Sequence, residues 1–138
     1  MFPQLARFQD LGLLLLRLMV AVVFVTSGWN HVTKADERSK SIGMSKTFTV
    51  FLGTAEIAGS LGIAFGVLTQ PAAIGLILIM LGAIEKKIFV WKISFWGDKT
   101  YGWHYELMLV IMCLVILFSD GGKWVLRNSA RGCVPASL

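Results

Sequence analysis

Four apolar blocks, each close to the length of a bilayer crossing, constrain this chain more than any other feature. They run over about 11–32, 47–68, 72–91 and 103–118. A helix needs about 20 residues to cross a hydrocarbon core of about 30 Å, and the fourth block is a little short of that. A soluble chain of 138 residues would bury one core and cover it with polar side chains. This one cannot: 56% of its residues are apolar, 15% are charged, and mean hydropathy is +0.71. The expected fold is all-α, an integral membrane four-helix bundle of up-down topology and a single domain. A soluble globular domain, a disordered chain, a disulfide scaffold and a nucleic-acid binder are excluded by the same composition.

Arg7 precedes the first block, as in a signal peptide. The block is too long for a signal core and no small-x-small cleavage site follows it, so it reads as a retained span. A polar segment, residues 33–46, leads to the second block. Thr69, Gln70 and Pro71 read as a tight turn joining blocks two and three into a hairpin. A Trp-, Gly- and Lys-rich loop, 92–102, precedes the fourth block, and a polar tail covers 119–138.

The net charge of +5 reads as topology. Arg7, Lys123, Arg127 and Arg131 fall on the side of the termini. Lys34, Arg38, Lys40, Lys46, Lys86, Lys87, Lys92 and Lys99 fall on the opposite side. Eight cations against four place loops 33–46 and 92–102 in the cytoplasm and both termini outside, in a multi-pass protein of the cell (inner) membrane. Cys113 and Cys133 form no CxxC pair, so an internal thiol relay, a c-type haem and an iron–sulfur site lack ligands. Cys113 reads as a small core residue.

Of 21 formally charged residues, 17 fall where water or headgroups reach them. The remaining four, Arg17, Glu56, Glu85 and Glu106, come one from each block. A charge inside a span costs several kcal/mol, so such residues face the bundle interior, pair, and mark function (about 3 kcal/mol or more at the centre). Helical periodicity sets their faces. Arg17, Ala21, Phe24, Gly28 and His31 form one stripe. Glu56 shares a face with Gly59, Gly62 or Ile63, and Gly66, where Gly62 and Gly66 make a small-xxx-small pair suited to close helix approach. Gly75, Leu78, Gly82 and Glu85 form the third stripe, and Glu106, Val110, Cys113 and Leu117 the fourth.

Glu56 falls near the midplane, and Glu85 in the half nearer the longer loops. Glu106 falls close to that surface, and Arg17 in the opposite half, with a side chain long enough to reach toward the centre. An Arg17–Glu56 pair is therefore expected, either as packing alone or as part of a site. Trp29, Asn30, His31, Trp91, Trp96, Tyr101, Trp103, His104 and Tyr105 gather at the longer-loop end. An interfacial aromatic belt is the simpler account of them, and their one-sidedness is the only argument for a pocket. His31 and His104 read more readily as interfacial residues than as metal or haem ligands. Lys86 and Lys87 read as cations reaching headgroups from a helix end.

The segments LLLLRLMVAVVFVTSGWNHVTK, GTAEIAGSLGIAFGVLTQPAAIGLILIMLGAI and GWHYELMLVIMCLVILFSDGGKW resemble the DoxX family of small four-helix membrane proteins over about residues 11–122. Arg17, Gly28, His31, Lys34, Glu56, Gly59, Gly82 and Glu106 sit at positions matching the family's pattern. The resemblance implies a membrane component of redox systems, similar to the large subunit of thiosulfate:quinone oxidoreductase. Unlike redox-active relatives, this chain has no paired cysteines, and it carries no metal, flavin or nicotinamide motif.

The first expectation is thus a redox-linked membrane subunit that binds quinone between its helices. Arg17 and Glu56 would polarise the cavity. Glu56, Glu85 and Glu106 would serve as catalytic carboxylates, with His31 and His104 hydrogen-bonding the head group and Trp29 and Trp103 stacking on it. The alternative is a non-catalytic accessory subunit whose inward charges serve packing alone. A proton or solute carrier is disfavoured, because the half of the bundle near the termini is almost wholly apolar beyond Arg17. Expected partners are the lipid bilayer and other membrane or redox subunits, or further copies of the chain.

Overall fold

The computed structural model describes residues 2–99, 101–119, 121 and 122. Most of the polar tail, Cys133, and the cations Lys123, Arg127 and Arg131 lie outside the described residues. Among the described residues, four long helices and one short one make up the fold. A 3₁₀ turn over Pro3–Phe8 leads into α1, Gln9–Thr33. The chain breaks helical geometry only at Lys34 and resumes as α2, Ala35–Ile42. Then come α3, Lys46–Phe65, and α4, Thr69–Glu85, which widens into a π turn over Lys86–Val90. The last helix, α5, is His104–Ser119.

Local chemistry sets these boundaries. Asp36 and Glu37 open α2 and Lys40 lies in its last turn, matching the helix dipole. Gly43 stops it in the left-handed conformation (φ 72°), with its N–H donating to the Ser39 carbonyl. Ser45 then caps α3, its hydroxyl accepting from the Phe48 N–H. Gly66 ends α3 at φ 72°, with the Val67 N–H donating back to the Gly62 carbonyl. Two expectations change accordingly. Segment 33–46 is mostly helix, not loop. Thr69, Gln70 and Pro71 form the first turn of α4, because the reversal is completed at 66–68 by Gly66 and a left-handed Leu68 (φ 50°).

Helix α1 packs chiefly on α3, α3 continues through the hairpin to α4, α4 packs on α5, and α5 closes back onto α1. The up-down bundle so formed has Val20, Phe24, Ile63, Leu76, Leu109, Cys113 and Ile116 at its core. The expected inward stripe of α1 holds from Arg17 to Gly28, and that of α5 holds at Glu106, Val110 and Cys113. Helix α4 is different. It buries Thr69, Ala73, Leu76 and Met80, whereas Leu78 and Glu85 are exposed and a Cβ on Gly75 or Gly82 would meet nothing. Its inward face is rotated from the glycine-marked one because a helix apolar all round is oriented by its neighbours, not by its own pattern.

The polar residues Arg17, Thr49, Glu56, Ser60 and Glu106 are buried, while Leu15, Met19, Phe51, Phe65, Leu78, Met108 and Phe118 face out. An exterior this apolar suits hydrocarbon and not water. Among the described residues, the helical stretches Pro3–Thr33 and Lys46–Phe65 are each long and apolar enough to cross a membrane, and His104–Ser119 is a shorter apolar helix.

Candidate functional site

The site begins at a tight helix crossing. A Cβ on Gly28 would lie 2.6 Å from the Gly53 carbonyl oxygen, and one on Gly53 would lie 2.7 Å from that of Gly28. Only two glycines allow antiparallel α1 and α3 to meet this closely. This approach is tighter than the one expected at Gly62, where a Cβ would lie 3.1 Å from the Val67 carbonyl oxygen and 3.5 Å from Ala72 Cβ of α4. His31, three residues past Gly28, and Glu56, three past Gly53, bracket the crossing and reach across it. His31 Nδ1 stands 3.3 Å from Glu56 Oε2, with the carboxylate 1% exposed.

Arg17 does not pair with Glu56. Its guanidinium donates to the carbonyls of Ile63 (2.8 Å), Ala64 (3.0 Å) and Gly121 (3.3 Å). Ile63 is seven residues beyond Glu56, about 10 Å along the helix axis. Arg17 meets the C-terminal end of α3, where last-turn carbonyls and the negative end of the helix dipole receive a cation. Arg17 is fully buried and stands away from the cavity described next.

A cavity of about 690 Å³ opens between α1, α2, α3, α4 and α5 at the longer-loop end. Val23, Phe24, Leu52, Met80 and Leu109 contribute aliphatic and aromatic wall. Glu56 and His31 supply one polar station. The second joins α5 to the π turn: Lys87 Nζ lies 2.7 Å from Glu106 Oε1 and also donates to the Tyr101 carbonyl at 2.9 Å. Glu106 sits in the first turn of α5, where the helix dipole favours an anion. Its Oε2 is buried and accepts no hydrogen bond among the described residues. Arg38 of α2, Lys86, Trp91 and Tyr101 stand around the rim.

Of the residues singled out from sequence, Glu56, Glu85, Glu106 and His31 line this cavity, Glu85 from an exposed position. Three do not. Trp29 is 62% exposed on the outer face of α1. Trp103 packs edge-on against Phe95 at 4.6 Å, and His104 holds the Phe95 carbonyl through Nδ1 at 2.7 Å. Both tie loop 92–102 to the start of α5. Lys87 was the residue missed, because it had been assigned to headgroups. The available signal was Glu106, which needs a counter-ion if it is to stay buried and charged. Among the described residues, no group of three or more His, Cys, Asp or Glu side chains could hold a metal ion.

Lys87→Met is therefore expected to lower stability by about 3–5 kcal/mol, since it strands the Glu106 carboxylate. Adding Glu106→Gln should recover part of that loss. Thermal unfolding of the two single variants and the double variant in detergent measures the coupling, and additive losses would sink the pairing.

A family model described as DoxX matches residues 12–91, which takes in Arg17, His31, Glu56 and Glu85. The chain belongs to the DoxX family. It is also 29% identical over 125 residues to an uncharacterized membrane protein of Mycobacterium tuberculosis, covering 80% of this chain and 76% of that relative. No solved structure matches it. Family, relative and apolar exterior agree, and this DoxX chain is a membrane protein.

Proposed function

We propose that this DoxX protein binds a quinone-like lipophilic molecule in its intramembrane cavity and works as a membrane component of a redox system. The observation that carries the reading is the cavity itself. At about 690 Å³ it is within the size range of small-molecule sites. Its apolar wall meets two polar stations from different helices, as a ring-shaped head group with a hydrocarbon tail requires.

The donor set fits such a group. Tyr105 and Trp91 offer π faces to a planar ring, and Val23, Leu52 and Leu109 offer surface for a tail while excluding water. The bound molecule would supply the electron-carrying chemistry. The chain's own groups position it and handle protons: the His31–Glu56 contact holds a proton between Nδ1 and Oε2, and Lys87 fixes Glu106 at the other station. Electrons would come from a partner membrane or redox subunit. The cations at the cavity end, Arg38, Lys86 and Lys87 among them, support a mouth facing the cytoplasm.

Tryptophan-fluorescence titration of the purified protein with a decyl-substituted benzoquinone tests the proposal. Saturable quenching is expected. Ala83→Phe, which adds a ring to the cavity wall, is expected to weaken it at least about tenfold while circular dichroism stays unchanged. Wild-type protein that shows no saturable binding would overturn the reading.

A further inference from the structure

Glu106 is 8% exposed, lines the cavity, and uses Oε1 to meet Lys87 Nζ at 2.7 Å. Its other oxygen, Oε2, is buried and has no hydrogen-bond partner among the described residues. Pairing with an ammonium leaves Glu106 a carboxylate, and a carboxylate only accepts. Lys87 has meanwhile committed a second proton to the Tyr101 carbonyl. Lys87 keeps a third proton, but the buried atom without a partner among the described residues at this station is an acceptor, and buried acceptors are nearly always matched with a donor.

Resting on the reading that the cavity holds a quinone-like molecule, we infer that it selects the hydroxyl-bearing quinol over the quinone, with Glu106 Oε2 accepting from a ligand O–H. A quinone carbonyl at the same place would set lone pair against lone pair. A quinol hydroxyl makes a charge-assisted hydrogen bond and satisfies the orphaned oxygen at once. The second hydroxyl of a para-quinol points from the opposite side of the ring, so Glu106 engages one end and leaves the other for a separate group.

Three ligands of nearly the same shape separate the possibilities: the decyl-benzoquinone, its quinol, and the quinol dimethyl ether, which keeps the ring and tail but has no donor. Each is titrated anaerobically against the full chain in lipid nanodiscs by tryptophan fluorescence. The quinol is expected to bind roughly tenfold tighter than the quinone. The ether is expected to bind no better than the quinone. Glu106→Gln, which replaces the charged acceptor by a neutral amide, is expected to bring the quinol-to-quinone ratio close to unity. Equal or tighter binding of the quinone to wild-type protein overturns the inference and leaves the proposed function standing. A preference that survives in Glu106→Gln, or is shared by the ether, overturns the assignment to Glu106. Failure of all three ligands to bind removes the proposed function and this inference with it.

Discussion

Arg17→Ala is expected to cost the bundle about 3–5 kcal/mol and to lower its thermal midpoint in detergent by on the order of 10 °C. The guanidinium is wholly buried and joins three parts of the fold that meet at the end remote from the cavity: α1, the last turn of α3, and the glycine turn after α5. Helix α3 ends at Gly66, whose N–H donates to the Ile63 carbonyl at 3.3 Å, so that oxygen keeps a free lone pair and the last turn lacks the N–H groups of a further one. Arg17 satisfies the carbonyls of Ile63 and Ala64 with charged donors held in a planar fork, each bond being worth about 1.5–3 kcal/mol. Truncation to alanine removes the donors and leaves a void of nearly the whole side chain. In hydrocarbon, water cannot easily replace what is lost. Arg17→Lys keeps the charge but not the fork, so it should fall between the two. Hydrogen exchange should localise the damage to residues near the α3–α4 turn. An Arg17→Ala protein that melts with the wild type would show that the contacts at Ile63 and Ala64 are incidental.

The same residue shows what the sequence could and could not reveal. That Arg17 faces inward follows from its stripe with Ala21, Phe24 and Gly28, because a lone cation in a span has nowhere else to go. Which acceptor it meets does not follow. Periodicity gives a face, not an axial register, and here Arg17 lies level with the end of α3, about two turns from Glu56. Helix α2 was legible in its punctuation, with acids first, Lys40 last and Gly43 beyond, but eight residues without an apolar period look like a loop. Helix α4 carried no facial signal because it is apolar on all sides, and its glycines pointed to the wrong one. The Lys87–Glu106 contact was the least accessible of all. At Lys86 the backbone leaves α geometry for a π turn, which changes the direction of every side chain after it, and nothing in the surrounding residues announces that shift.

Gly28→Ala is expected to damage both stability and the cavity, for one geometric reason. The added methyl would lie 2.6 Å from the Gly53 carbonyl oxygen and 2.7 Å from Ile57 Cγ1. Ile57 Cγ1 is held by the stiff χ1 of a β-branched residue in a helix and the carbonyl is backbone, so α1 and α3 must separate. Overpacking of this kind costs about 1–3 kcal/mol, and more where both neighbours are helices. Separation also stretches the His31–Glu56 contact, already 3.3 Å long, so affinity for a cavity ligand should fall together with the melting temperature. Gly75→Ala is the matched control. Its Cβ meets nothing within 4 Å, and alanine favours a helix over glycine by about 1 kcal/mol, so stability should hold or rise. Gly53→Ala should mirror Gly28→Ala, since its methyl would stand 2.7 Å from the Gly28 carbonyl oxygen and 2.8 Å from His31 Cβ. The double variant then distinguishes a shared crossing from two separate clashes. Once one methyl has parted the helices, the second has space, so the combined loss should be clearly less than the sum of the two. Strict additivity would mean that each clash is relieved on its own, and that the spacing of α1 and α3 does not control the His31–Glu56 contact.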